Sequence, residues 1–109
     1  MTDGTTTDTK RSHLYVVRLA RGGPWDWSRG MRDQDGWDEH ARFMNSLVDD
    51  GFIVLGGPLE GDRETLHVVY AESEEEVRAR FAQDNWAQNE MLTVTSVERW
   101  TILLDALRT

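Results

Sequence analysis

Hydrophobic periodicity alternates between two kinds along this chain, and the order of the switches leaves few architectures open. His13 to Arg21 (HLYVVRLAR) is rich in β-branched and aromatic residues and stops at Gly22-Gly23-Pro24, which predicts a strand closed by a loop. From Trp37 to Asp50 the apolar residues Trp37, Ala41, Met44, Leu47 and Val48 recur three and four apart, the spacing of a helix with one buried face. Asp33 or Asp35 is placed to cap its start, and Gly51 to take the left-handed position that ends it. Phe52 to Leu55 is a short continuous apolar run before Gly56-Gly57-Pro58. It predicts a second strand, buried on both faces, with the glycines marking its exit and a close approach of backbones.

The charged, glycine-containing stretch Leu59 to Glu64 then turns the chain back into Thr65 to Ala71 (TLHVVYA), a third strand. Ser73-Glu74-Glu75-Glu76 is a capping box that opens a second helix through Val77 and Phe81. Asp84-Asn85 ends that helix, Trp86 to Leu92 reads as irregular, and Val94 to Leu104 as a long last strand. Strand, helix, strand, strand, helix, strand is two βαβ units joined by a hairpin. This is a ferredoxin-like α+β arrangement with both helices on one face of an antiparallel sheet. The strands carry apolar residues in both registers, Leu14 and Val16 beside Tyr15 and Val17, so the other sheet face also needs a cover. A homodimer that buries sheet against sheet supplies one.

Composition removes whole classes of function. With 109 residues the chain has enough for one core, residues 13–109, after a Thr/Asp/Gly-rich tail at 1–12 that reads as disordered. Apolar runs are only a few residues long, so no membrane span is expected, and the absence of a signal-like start makes a cytoplasmic location the expectation. There is no Cys, which removes disulfides, thiolate metal sites and cysteine nucleophiles together. Twelve basic residues face twenty acidic ones, a net charge of −8 that gives no basic stripe for nucleic acid. Lys10, in the tail, is the single lysine, so cationic work inside the fold falls to arginine and Schiff-base chemistry has no amine.

The same elements resemble the YciI-like (YCII-related domain) family of small dimeric α+β barrel proteins. The resemblance rests on the Leu14-Tyr15-Val16-Val17 strand, His40 on the first helix, and the run Gly51-Phe52-Ile53-Val54-Leu55-Gly56-Gly57-Pro58. It rests also on the acid-capped second helix, the Asp84-Asn85-Trp86 segment and the closing Val97-Glu98-Arg99-Trp100. It covers residues 13–104. It implies a His and Asp acid/base pair at His40 and Asp84, in a cleft between helices and sheet, and no cofactor. The few members with an assigned reaction resemble lyases, among them one that removes HCl from a chlorinated hydroxyquinone. Two departures stand out: Asn85 replaces the family's usual Pro, which would loosen Asp84, and the Trp-rich loop from Gly22 to Gly36 exceeds the family minimum.

On the residues alone, His40 lies at the edge of the apolar stripe, three residues after Trp37 and one turn before Met44. It is either a core histidine satisfied by one hydrogen bond or a general acid/base whose pKa range suits neutral pH. Asp84 is either a helix-ending Asx residue or the carboxylate that orients that imidazole. Trp25, Trp27, Trp37 and Trp86 offer flat apolar area for a ring-shaped ligand, with ordinary burial as the rival and the loop carrying the first two as a lid; Trp37 and Trp100 read rather as core or dimer interface. Arg29 and Arg32 are placed to fork a carboxylate or phenolate, or else to pair with the surrounding acids. His13, His40 and His67 have no metal-ligand spacing, so no metal is expected. The leading reading is a cofactor-independent lyase or isomerase acting on a small cyclic or unsaturated molecule. Its rivals are a cofactor-free monooxygenase, a non-catalytic small-molecule-binding or interaction module, and a haem binder resting on one His.

Overall fold

The computed structural model describes residues 13–107, so the tail expected to be disordered lies outside the described residues. Strand β1 (His13–Arg21) is followed by a loop with one 3-10 turn (Met31–Asp33), helix α1 (Trp37–Asp49), β2 (Ile53–Pro58) and β3 (Glu64–Ala71). Helices α2 (Glu74–Phe81) and α3 (Asn85–Gln88) and strand β4 (Leu92–Arg99) complete it. The four strands form one antiparallel sheet in the order β2-β3-β1-β4, the ferredoxin-like topology that the order of elements predicts.

Period-two alternation decides which side chains meet the helices. Tyr15, Val17 and Leu19 of β1 and Thr65, His67, Val69 and Ala71 of β3 are buried on one face. There they pack with Leu47 of α1, Val77 and Phe81 of α2, and Trp86 of α3 in one core. Ser73 caps α2 as expected: its hydroxyl accepts from the Glu76 amide, while the Glu76 carboxylate accepts from the Glu72 amide at 2.8 Å. Gly51 ends α1 at φ +83°, the left-handed conformation its position calls for.

The structure corrects several sequence expectations. Neither Asp33 nor Asp35 caps α1; Gly36 stands there at φ +79°, because its carbonyl and its missing side chain are needed elsewhere, as described below. The second strand does not stop at Gly56-Gly57-Pro58 but runs through it, opposite His67, Leu66 and Thr65. An edge strand tolerates proline, and Gly56 is required because a Cβ there would stand 2.4 Å from the His67 ring. As an edge strand β2 is not buried on both faces: Val54 and Leu55 are exposed. Residues 85–88 are helical rather than irregular. The last strand begins at Leu92 and ends at Arg99. Trp100 still donates to the Leu14 carbonyl, near the start of β1, and the ladder gives no further partner to Thr101 to Leu104.

The face turned away from the helices carries Leu14, Val16, Leu66, Val68, Tyr70 and Leu55, none of which belongs to the core; Tyr70 and Leu55 are exposed and the others half-buried. No helix among the described residues is long and apolar enough to cross a membrane.

Candidate active site

His40 and Asp84 come from different elements, and the loop between β1 and α1 is what brings them together. Its organising residue is Gln34, whose buried amide donates to the carbonyls of Asp26 (2.7 Å) and Arg29 (3.0 Å) and accepts from the Asp26 amide (3.0 Å). Such a satisfied buried amide holds the loop in one conformation. Trp25 is buried beneath it, edge-on to Trp86 with centroids 5.2 Å apart. The loop is therefore fastened to the core, not poised above it as a lid.

From there the chain is clamped to the segment that carries Asp84. The Asp35 carbonyl accepts from the Trp86 indole at 2.8 Å, and the Gly36 carbonyl accepts from the Asn85 amide at 3.1 Å. A Cβ on Gly36 would lie 2.7 Å from that Asn85 nitrogen, so the contact needs glycine. Asn85, expected to loosen Asp84, instead supplies a donor that proline could not.

Asp84 occupies the N-cap position of α3, yet its carboxylate caps nothing. It faces His40, whose Nδ1 lies 2.8 and 2.9 Å from its two oxygens. Both side chains are buried. A carboxylate only accepts, so this contact places the proton of a neutral imidazole on Nδ1 and leaves Nε2 as the lone-pair nitrogen. Nε2 has no hydrogen-bond partner among the described residues. The ring lies on the indole of Trp86, centroids 3.9 Å apart and planes within 12°. Packed between that indole and Asp84, the imidazole has little freedom to turn.

His40 opens onto a cavity of about 230 Å³ between α1 and the sheet, with Trp37, Met44, Trp86, Arg21 and His67 among its walls. That is smaller than the roughly 300–1,000 Å³ of sites for drug-sized ligands, and it suits a single ring. His67 is buried beside Phe81, and burial, reinforced by the nearby His40, pushes its pKa down to about 4. It is neutral across the physiological range.

The structure brings together some of the residues singled out in the sequence and separates others. His40, Asp84 and Trp86 meet, and Trp37, read as core or interface, is a wall of the cavity. Trp25 is core, and Trp27 is 55% exposed beside Arg63. Arg29 pairs with Asp26 (3.0 Å) and Asp35 (3.5 Å), where two carboxylates in reach hold it on the surface. Arg32 lies over the Trp37 ring, 5.8 Å from its centroid, and is not among the residues that line the cavity. Trp100 is exposed. The cationic side chain in the cavity is Arg21, and the second imidazole there is His67. Both continue the inward alternation of their strands, Tyr15-Val17-Leu19-Arg21 and Thr65-His67-Val69, a signal that was present in the sequence. Among the described residues no three His, Asp or Glu side chains gather as a metal site.

No family model matches the chain, and neither does any curated protein. Among solved structures it is similar to 5-chloro-2-hydroxyhydroquinone dehydrochlorinase (TftG) from Burkholderia phenoliruptrix AC1100, in complex with 2,5-dihydroxybenzoquinone. The two are 23% identical at a TM-score of 0.60, over 81% of this chain and 93% of that one, so they share a fold. A second structure, protein YJCS, is 16% identical at a TM-score of 0.46, over 84% of this chain and 98% of the other.

Proposed function

We propose that this chain is a YciI-like, cofactor-independent lyase or isomerase in which His40 moves a proton on a small cyclic or unsaturated molecule. The observation that carries the reading is the bond from the His40 Nδ1 to both Asp84 oxygens, at 2.8 and 2.9 Å, at the wall of a ring-sized cavity. In this reading Nε2 takes a proton from a hydroxyl or an activated C–H of the substrate, and Asp84 stabilises the imidazolium that forms. The released electron pair moves through the conjugated system. Either it expels a leaving group as an anion, for net loss of HX, or it takes the proton back at another carbon, for isomerisation. Trp37 and Trp86 supply flat walls for an unsaturated ring.

The shared fold with a dehydrochlorinase that binds a dihydroxybenzoquinone makes chlorinated hydroxyquinols the first substrates to try. Turnover would be followed by chloride release, with oxygen uptake recorded alongside. The reading expects chloride without oxygen consumption, and a loss of about 10²- to 10⁴-fold in kcat for His40→Ala. Oxygen consumption would turn the assignment to a monooxygenase. A ligand bound and recovered unchanged, with His40→Ala altering affinity alone, would turn it to a binding module.

The active unit in this reading is a cytoplasmic homodimer closed through the open sheet face. Its support is the row of apolar side chains on β1, β2 and β3 that lies outside the core on the face away from the helices.

A further inference from the structure

The cavity at His40 has a second chemical feature that proton transfer does not use. Among the described residues, buried side-chain polar atoms without a partner include Arg21 Nε, Thr65 Oγ1 and His67 Nδ1, and all three residues line this cavity. Buried polar atoms are nearly always paired, and three unpartnered ones on residues that wall a single cavity point to a ligand that satisfies them.

Arg21 is the most informative of the three. Its side chain is 1% exposed, and its guanidinium is held from the outside: Nη1 pairs with the Asp62 carboxylate at 2.5 Å and donates to the Asp62 carbonyl. Asp62 is itself in the left-handed region at φ +62°, in the turn between β2 and β3, and it lies mostly in water. One face of the guanidinium packs on Trp25, 4.2 Å from the ring centroid. Of its other donors, Nη2 reaches only the Met31 sulfur at 3.9 Å, a weak acceptor, and Nε reaches nothing. The group is thus anchored and oriented, with donors to spare, in a chain whose net charge is −8.

We propose that Arg21 binds an anionic oxygen of the substrate, with Thr65 and His67 hydrogen-bonding a second oxygen, so that the cavity selects single-ring or unsaturated molecules carrying a carboxylate, phenolate or enolate beside a hydroxyl or carbonyl. Charge-assisted bonds to a guanidinium are about twice as strong as neutral ones, so the negative group is what the site reads most strongly. The neutral state of His67 suits this role, because a neutral ring can donate to a hydroxyl oxygen or accept from its proton. The inference rests on the cavity as the substrate site proposed above, but not on His40 acting as a base.

The test is binding of salicylate against salicylamide, its uncharged isostere, followed by quenching of the Trp37 and Trp86 emission and by calorimetry. Wild type should prefer salicylate by about tenfold or more. Equal affinity, or no binding of either, overturns the proposal. Arg21→Lys should retain part of the preference, and Arg21→Gln should abolish it while leaving salicylamide binding within about threefold. If Arg21→Gln fails to fold, the wild-type preference and the Arg21→Lys variant still decide, since a folded Arg21→Lys that keeps the positive charge but has no preference left would overturn the proposal. Unaltered salicylate preference in a folded Arg21→Gln overturns the proposal and leaves the His40 chemistry standing. Loss of that preference alongside undiminished turnover in His40→Ala would do the reverse.

Discussion

The imidazole of His40 lies flat on the indole of Trp86, centroids 3.9 Å apart, while the indole nitrogen donates at 2.8 Å to the carbonyl of Asp35, just before the helix that carries His40. Trp86 therefore supports the histidine twice, through its ring face and through the backbone that starts the helix. Trp86 and Asp84 enter together on one short segment, so whatever positions one positions the other. The geometry needed to orient an imidazole is thereby built into the core packing rather than added to it.

Truncating Trp86 should test this. Trp86→Ala removes one of the largest fully buried side chains and should destabilise the fold by about 3–5 kcal/mol in urea unfolding. Trp86→Phe keeps a stacking ring but leaves the Asp35 carbonyl without its donor, which should be worth about 1–3 kcal/mol. A Phe variant as stable as wild type would show that the indole bond contributes nothing.

Gly36→Ala should be harmful beyond its size. The position has φ +79°, and a methyl there would sit 2.7 Å from the Asn85 amide nitrogen. We expect a loss of about 1–3 kcal/mol in stability together with a shifted His40 ring resonance, because the α1 start and the Asp84 segment are pushed apart. A stable variant with an unmoved His40 signal would contradict the clamp.

His67 sets an acid limit on stability. Its pKa is about 4 in the folded protein, below its ordinary value of 6.5, so between those values the unfolded chain binds the proton that the native state refuses. Stability should therefore fall as pH drops from about 6.5 through about 4, by a total of about 3 kcal/mol from this group, and recover in the opposite direction. Urea midpoints over this range should decline less steeply in His67→Gln. An identical decline in both would assign the acid sensitivity to other groups.

Much of the fold was legible in the sequence because it follows from periodicity. The bounds of β1 and α1, the turn at Gly51 and the cap at Ser73 are set by neighbours a few residues away, and local chemistry suffices to read them. What the sequence concealed depends on distant contacts. Gly56-Gly57-Pro58 looked like a strand exit until the His67 ring, opposite in the sheet, explained Gly56. Trp25 looked available for ligand because glycines surround it, whereas Gln34 and Trp86 fix it in the core. His40 and Asp84 were singled out by resemblance, and no local pattern foretold a contact across 44 positions. Arg21 was missed even though its register with Tyr15, Val17 and Leu19 points inward, because a charged residue at a strand end is ordinarily solvated.

The apolar sheet face opposite the helices predicts self-association. Sedimentation equilibrium should give twice the chain mass of 12.6 kDa, and Leu55→Glu or Val68→Glu should shift the equilibrium to monomer. Wild-type protein that stays monomeric at tens of micromolar would remove the dimer from the account.

The central claim is that Asp84 holds His40 with its proton on Nδ1 and its lone pair on Nε2. Long-range ¹H–¹⁵N spectra of the histidine rings, recorded where His40 is neutral, read this directly and need no substrate. The account predicts the Nδ1–H tautomer for His40 in wild type and a loss of that preference in Asp84→Asn. An Nε2–H tautomer in wild type, or a spectrum indifferent to the Asp84 substitution, would contradict it.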